Sequence, residues 1–362
     1  VKAAILSAPG TPLTIEEVTI AAPGPHEVLI RTAAVGVCRS DLHFVDGAYP
    51  HPLPTIPGHE AAGVVEAVGS EVTTLRPGDP VVTCLSAYCG HCDQCVTGHM
   101  SLCTDAGVKR RKDQPPRLTL AADGSTVHQM LNLSAYAEQM LVHEHACVAI
   151  DPDMPLDRAC VLGCAVTTGA GAIFHAADVA PGETVAVVGC GGIGLAAVNA
   201  AKIAGAGRII ALDPVPEKRA LALKLGATDA VDAAAETAAA EVVAMTQGGV
   251  HHAIEAVGRP ASGDLAVGLL RRGGTATILG MMPLTHKVGL SALDLLASKK
   301  LQGALMGGNH FPVDIPRLVA FYLRGLLDLD SIIAERIPLT RINDAFAKLR
   351  QGDSTRSVVV FE

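Results

Sequence analysis

Cys89, Cys92, Cys95 and Cys103 are spaced C-x2-C-x2-C-x7-C. Four thiols confined to so short a segment can converge as thiolates on one tetrahedral Zn²⁺. His91 and His99 lie in the same segment, but four thiolates already complete a tetrahedron, so both histidines are expected to be exposed. A second, dispersed group of candidate ligands brackets this run: Cys38, the His59-Glu60 pair and Cys164. The chain is therefore expected to hold two zinc ions of different character.

A third constellation is built on glycine. Gly189-Cys-Gly-Gly-Ile-Gly194 follows the apolar run Thr184–Val188 and precedes an Ala-rich helical pattern. In that setting Gly189, Gly191, Gly192 and Gly194, with Ile193, can form the tight turn that lets a pyrophosphate approach the backbone and a helix pack on its strand. Asp213 ends the next strand-like run, where a carboxylate can hold an adenosine ribose through its hydroxyls. Its charge repels a 2′-phosphate, so NAD is expected over NADP. Lys218, about one helical turn further on, is a candidate for the same ribose.

These groups need a frame. A chain of 362 residues exceeds the ~250–300 residues at which single cores stop growing, so two domains are expected. Residues 1–150 carry short β-branched runs punctuated by Gly and Pro, such as Val28–Thr32 and Ala62–Gly69, the pattern of a β-rich, barrel-like domain. From about Pro181 strand-like and helical runs alternate: Thr184–Val188, Ile193–Ala204, Arg208–Leu212, Glu217–Leu225. Repeated βα units of this kind build a parallel sheet. His252–Val257, Thr275–Leu279 and Leu301–Leu305 extend it, and the Ala-rich 233–240 segment is read as the start of a surface helix. The strand-like Ser357–Phe361 is expected to rejoin the first domain. The domains are therefore set at 1–165 with 306–362, and at 166–305.

Composition narrows the partners. With 28 Lys+Arg against 36 Asp+Glu, the formal charge is -8, which opposes general binding to nucleic acid or to anionic membranes and favours a small-molecule partner. The one basic cluster, Lys109–Lys112, runs into Pro115-Pro116 and reads as a solvated loop. Ten cysteines without a charged-then-apolar leader at Val1–Ala4 fit reduced, metal-binding thiols in a cytoplasm better than a disulfide framework. The uncharged stretches Ala159–Ala177 and Thr184–Ala201 are long enough to suggest membrane spans, but their glycines point to buried α/β core. Cys84, Cys147, Cys160 and Cys190 have no motif partner and read as small apolar residues; His251 and His252 lie in a strand pattern and receive no role.

Taken together, Cys38–His43, Gly58–Gly63, the four-cysteine run, Gly163–Gly169 and the glycine fingerprint resemble, in order and spacing, the zinc-dependent medium-chain alcohol dehydrogenases of the class I/III-like branch. The resemblance covers nearly the whole chain. It implies a doubly wound Rossmann cofactor domain beside a GroES-like β-rich barrel catalytic domain, in a homodimer or homotetramer. Carried over by position, Cys38, His59 and Cys164 are the ligands of a catalytic zinc with an open fourth position, a set with known catalytic precedent. Glu60 resembles the family carboxylate that approaches the metal during ligand exchange, or is a structural carboxylate paired with an arginine. Asp41 is placed to orient His59. Ser40 resembles the residue that accepts the alcohol's hydrogen bond and His43 the base at the solvent end of a proton relay. Arg39 and Arg356 match positions that hold the pyrophosphate, and Thr168 one that packs on the nicotinamide. Tyr49, Leu85, Met130, Met281 and Leu305 match the substrate channel; such bulky, adaptable groups suit a medium-chain or aromatic (or allylic) primary alcohol.

The resemblance thus implies reversible hydride transfer between that alcohol and NAD, giving the aldehyde. Zinc, as a Lewis acid, lowers the pKa of a bound hydroxyl. A polyol dehydrogenase would carry Glu in place of Cys164, and the metal-free quinone reductases lack both ligand sets. A glutathione- or other thiol-linked formaldehyde dehydrogenase is the alternative, kept by the region from Arg117 to Val142, although the charged residues that would hold glutathione are not recognisable around Asp46–Pro50. A zinc-ribbon binding module is opposed by net acidity and by the fingerprint.

Overall fold

The longest strand in the first part of the chain, Glu27–Gly36, alternates side chains between two faces, and buries Val28, Ile30 and Val35 with almost no exposure. In the computed structural model, which describes residues 1–105, 108, 114–352 and 356–362, this strand is the hub of a seven-stranded sheet. Ala61–Val68, Gln139–His143 and the carboxyl-terminal Arg356–Val360 each pair with it antiparallel. The last pairing sets Val359 opposite Val35, so the expected return of the chain terminus to the first domain is a strand added to its central sheet. A five-stranded sheet in the order Lys2–Ile5, Thr14–Ile20, Leu118–Leu120, Thr126–Gln129, Thr55–Ile56 completes the β structure of this unit. Its core centres on Ile5, Ile30, Ile56, Met140 and Tyr136, whose ring meets Phe346 edge-on at 6.1 Å.

In the second unit six parallel strands lie in the order Asp229–Val231, Arg208–Leu212, Thr184–Val188, Val250–Glu255, Leu270–Ile278, Lys300–Gly303. Helices covering both faces of such a sheet explain why its central strands read as unbroken apolar runs. The order reverses beside Thr184–Val188, the topological switch at which doubly wound sheets bind ligands. Helix Pro216–Leu225 starts on a proline, whose missing N–H is unused at that position. The Ala-rich 233–240 segment departs from its reading: the helix is Ala238–Met245. Asp232 accepts the Ala234 N–H at 2.9 Å, and this side-chain turn holds the preceding alanines out of the helix.

The first unit comprises Val1–Ala165, His310–Arg324 and Ile332–Glu362, the second Val166–Asn309 and Gly325–Ser331. Residues 306–309 and 325–331, assigned to the first domain by sequence, thus belong with the nucleotide-type sheet; Asn199 on helix Gly192–Ile203 anchors the second of these segments by accepting the Asp328 N–H at 2.9 Å. No single helix among the described residues is long and apolar enough to cross a membrane. The uncharged Ala159–Ala177 stretch is broken at Cys164 and is largely buried. The basic cluster Lys109–Lys112 lies outside the described residues.

Candidate metal centres and nucleotide site

The dispersed ligand candidates are gathered by strand pairing. Cys38 follows the end of Glu27–Gly36, and His59 and Glu60 immediately precede its neighbour Ala61–Val68; the Gly36 N–H donates to the Glu60 carbonyl at 2.7 Å across that join. Cys164 ends the short turn Cys160–Gly163. One donor atom from each of Cys38, His59 and Cys164 lies within 4.8 Å of the others, and all three residues are buried. His59 Nε2 is 3.2 Å from Cys164 Sγ. Its Nδ1 is 2.7 Å from Asp41 Oδ1, so the proton sits on Nδ1 and the Nε2 lone pair faces the sulfurs.

Two soft sulfurs and an imidazole nitrogen, sealed from water with Asp41 behind them, fit a zinc ion. The Glu60 carboxylate adds a second sign. Its Oε1 accepts the Ala165 N–H at 2.9 Å, while Oε2 is buried without a hydrogen-bond partner, 3.4 Å from an Arg356 nitrogen. Burial pushes the Glu60 carboxyl up to about 7 despite the opposing Arg356 guanidinium. Arg356 also donates to the Val37 carbonyl at 2.9 Å. Sequence reasoning assigned it to pyrophosphate; in the fold its guanidinium is buried against Glu60.

Helix Arg39–Val45 begins directly after Cys38 and carries Arg39, Ser40 and His43. His43 is half-buried beside Tyr49, with ring centroids 5.8 Å apart. Burial, then the Arg39 charge, lowers its pKa from the usual histidine value. Arg39 is exposed, with a long 3.4 Å bond to the Leu349 carbonyl.

The four-cysteine loop closes on itself around the short helix Asp93–Val96. Sγ atoms of Cys89 and Cys95, and of Cys92 and Cys103, are 3.9 Å apart, and all four lie within 4.8 Å. Backbone N–H groups of Cys89, His91 and Cys92 point at the sulfurs of Cys103 and Cys89 from 3.3 to 3.4 Å. His91 and His99 are exposed, His91 pairing with Asp105 at 2.8 Å.

In the second unit Gly189 has φ +97°, and a Cβ on Gly194 would stand 1.7 Å from the Gly189 carbonyl oxygen; only glycine permits that turn to meet its own helix. Asp213 is buried at the end of Arg208–Leu212. Its Oδ2 accepts the Cys190 N–H at 2.8 Å and Oδ1 the Val215 N–H at 2.9 Å. The carboxylate thus fastens the glycine loop to the neighbouring strand, a task its spacing did not reveal. Gly191, Gly192 and Ile193 remain partly exposed, and Lys218 stands half-buried on the following helix. Thr168 is buried with its hydroxyl 3.6 Å from Met306 Sδ.

The channel residues divide. Tyr49 and Leu85 in the first unit and Met281 in the second are half-buried, and Leu305 is 57% exposed. Met130 is 0% exposed and its N–H is held by Ser134. It has no surface to present to a substrate and is core, which corrects its assignment. Cys84, Cys147, Cys160 and Cys190 are buried and free. Sequence reasoning passed over Tyr136, whose hydroxyl is 2.9 Å from Asp41 Oδ2. Its one signal was scarcity, the chain having only four tyrosines.

Comparison with known proteins agrees with this architecture. Residues 24–152 match the alcohol dehydrogenase GroES-like domain, and residues 192–323 match the zinc-binding dehydrogenase domain. An alcohol dehydrogenase zinc-binding domain protein from Burkholderia ambifaria is 36% identical, with a TM-score of 0.95 over 100% of this chain and 98% of that one. Benzyl alcohol dehydrogenase from Acinetobacter calcoaceticus is 32% identical, with a TM-score of 0.93 over 100% of this chain and 99% of that one. A zinc-binding dehydrogenase from Sinorhizobium meliloti, bound to NADP, is 27% identical, with a TM-score of 0.81 over 99% of each chain. The fold is thus a GroES-like β domain joined to a Rossmann-type domain, and the chain belongs to the zinc-dependent medium-chain alcohol dehydrogenase family. It is an NAD-dependent zinc oxidoreductase.

Proposed function

We propose that the protein interconverts a primary alcohol and its aldehyde with NAD, at the buried cluster of Cys38, His59 and Cys164. The single observation carrying this reading is the convergence of those three donors, with the Asp41 carboxylate behind the imidazole. Bound there, zinc supplies Lewis acidity toward the substrate oxygen. Cys89, Cys92, Cys95 and Cys103 hold the second, structural ion. Glu60, tethered by Ala165 and Arg356, lies where it can approach the first ion during exchange. Ser40 accepts the substrate hydroxyl's hydrogen bond, and His43, four residues into the same helix, takes the proton to solvent. Arg39 serves the pyrophosphate, Gly189–Gly194 its backbone approach, Asp213 and Lys218 the ribose, and Thr168 the nicotinamide.

A medium-chain, aromatic or allylic alcohol is the substrate class, supported by the adaptable Tyr49, Leu85, Met281 and Leu305 side chains and by likeness to a benzyl alcohol dehydrogenase. A glutathione-linked reaction ranks second, because the charged residues that would hold glutathione are not recognisable around Asp46–Pro50. A panel of alcohols and aldehydes, with and without glutathione, tests this. Benzyl alcohol is expected to exceed ethanol in kcat/KM, and an absolute glutathione requirement would reverse the ranking. A cytoplasmic location suits ten free cysteines. Self-association into a dimer or tetramer suits the exposed Leu293, Leu295 and Leu296 beside the edge strand Lys300–Gly303; light scattering reads it directly.

His43→Gln is expected to retain both zinc ions and NAD while slowing alcohol oxidation up to ~10²-fold. With its pKa held below the usual value by burial and Arg39, His43 is a neutral base at and above neutrality and is lost to protonation only in acid. The variant's deficit is therefore greatest from neutrality down to the pH at which His43 itself protonates, where water is a poor substitute, and it closes in more acidic solution. Added imidazole should recover part of the rate; an unchanged profile without recovery would assign the proton another path.

A further inference from the structure

We propose that Tyr136 is a positioning residue of the dispersed metal site, acting through Asp41 on His59. Asp41 is completely buried, and its carboxylate meets three donors: His59 Nδ1–H at 2.7 Å and the Gly58 N–H at 3.1 Å on Oδ1, and the Tyr136 hydroxyl at 2.9 Å on Oδ2. Tyr136 and His59 are equally without exposure, so no water can replace a missing donor. A carboxylate held at both oxygens cannot turn about its terminal bond, and the ring it receives is fixed with Nε2 toward Cys164. Remove the hydroxyl, and Oδ2 is left buried without that donor while the carboxylate is held at Oδ1 alone.

The backbone is shaped around this contact. Tyr136 N–H donates to the Pro57 carbonyl at 3.0 Å, and Ala135 N–H to the Gly58 carbonyl at 2.9 Å. Gly58 has φ +98°, and a Cβ there would lie 2.7 Å from Tyr136 N and 2.9 Å from its ring. The residue just before His59 is thus glycine partly because Tyr136 lies against it. The hydroxyl also lies 3.4 Å from the Gly36 carbonyl, two residues before Cys38, but its one proton goes to the nearer, charged Asp41 oxygen. Outer groups that orient a ligating histidine set metal affinity and ligand strength.

This inference rests on Cys38, His59 and Cys164 being a zinc site, and the experiment separates the two. Zinc release from the full-length holoprotein to a chromogenic chelator is followed for wild type, Tyr136→Phe and Phe346→Leu. The last loosens the packing of the same ring without touching its hydroxyl. In wild type two zinc ions per chain are expected; finding one would sink the site, not the tyrosine. In Tyr136→Phe one ion should leave roughly 10–100-fold faster while the other is unchanged, and the visible bands of the cobalt-substituted protein should shift. Phe346→Leu should do neither. Equal release and an unaltered cobalt spectrum in a folded Tyr136→Phe, or an equal acceleration by Phe346→Leu, would overturn the proposal. Should Tyr136→Phe not fold, uniform replacement of tyrosine by a ring-fluorinated analogue strengthens the same hydrogen bond, and cobalt bands that do not move overturn it equally.

Discussion

Cys164→Ser is expected to hold one zinc ion per chain instead of two and to lose turnover, while still binding NAD. The substitution keeps size and shape in a site only 3% exposed, so packing changes little. What changes is the donor: a serine hydroxyl does not ionise near neutrality as a metal-bound thiol does, and Cys38 with His59 alone make a poor two-point site. The remaining ion belongs to Cys89, Cys92, Cys95 and Cys103, whose loop makes its own backbone-to-sulfur bonds and does not involve Cys164. The glycine fingerprint and Asp213 lie in the separate parallel-sheet unit, which is why cofactor binding should survive. Metal analysis with NAD fluorescence titration reads both outcomes. Two ions per chain and full activity in this variant would remove Cys164 from the site.

The second large effect concerns cofactor choice. Asp213→Ser combined with Pro214→Arg, an exposed neighbour, should move preference from NAD toward NADP. The NAD reaction is expected to lose about 1–3 kcal/mol in kcat/KM, the worth of hydrogen bonds to a charged acceptor. The fold adds a condition that the glycine pattern did not contain. Asp213 also receives the Cys190 and Val215 N–H groups, and a serine oxygen reaches at most one side of that pair. A fall in melting temperature should therefore accompany the switch, and the single Asp213→Asn variant, which retains an acceptor oxygen, should lose less stability. A wild-type protein already preferring NADP would overturn the assignment.

Much of this was legible because its physics is local. The four cysteines lie within fifteen residues, so their spacing alone fixes that they can share one ion. The strand, glycine turn and helix from Thr184 to Ile203 are contiguous, and the alternating βα pattern dictates a parallel sheet. The limits of local reading show at 233–237, where one Asp side chain outweighs alanine's helix propensity.

What the tertiary structure alone decided depends on register between distant strands. Convergence of Cys38, His59 and Cys164 depends on pairing Glu27–Gly36 with Ala61–Val68. That pairing, with Arg356–Val360 laid on the same strand, sets Arg356 against Glu60; by sequence 296 positions apart, they form a buried pair 3.4 Å apart. Tyr136 reaches Asp41, and Met130 loses all its surface, for the same reason. Spacing along a chain records which side chains share a turn, but burial and hydrogen bonding between remote segments exist only after the sheets have formed.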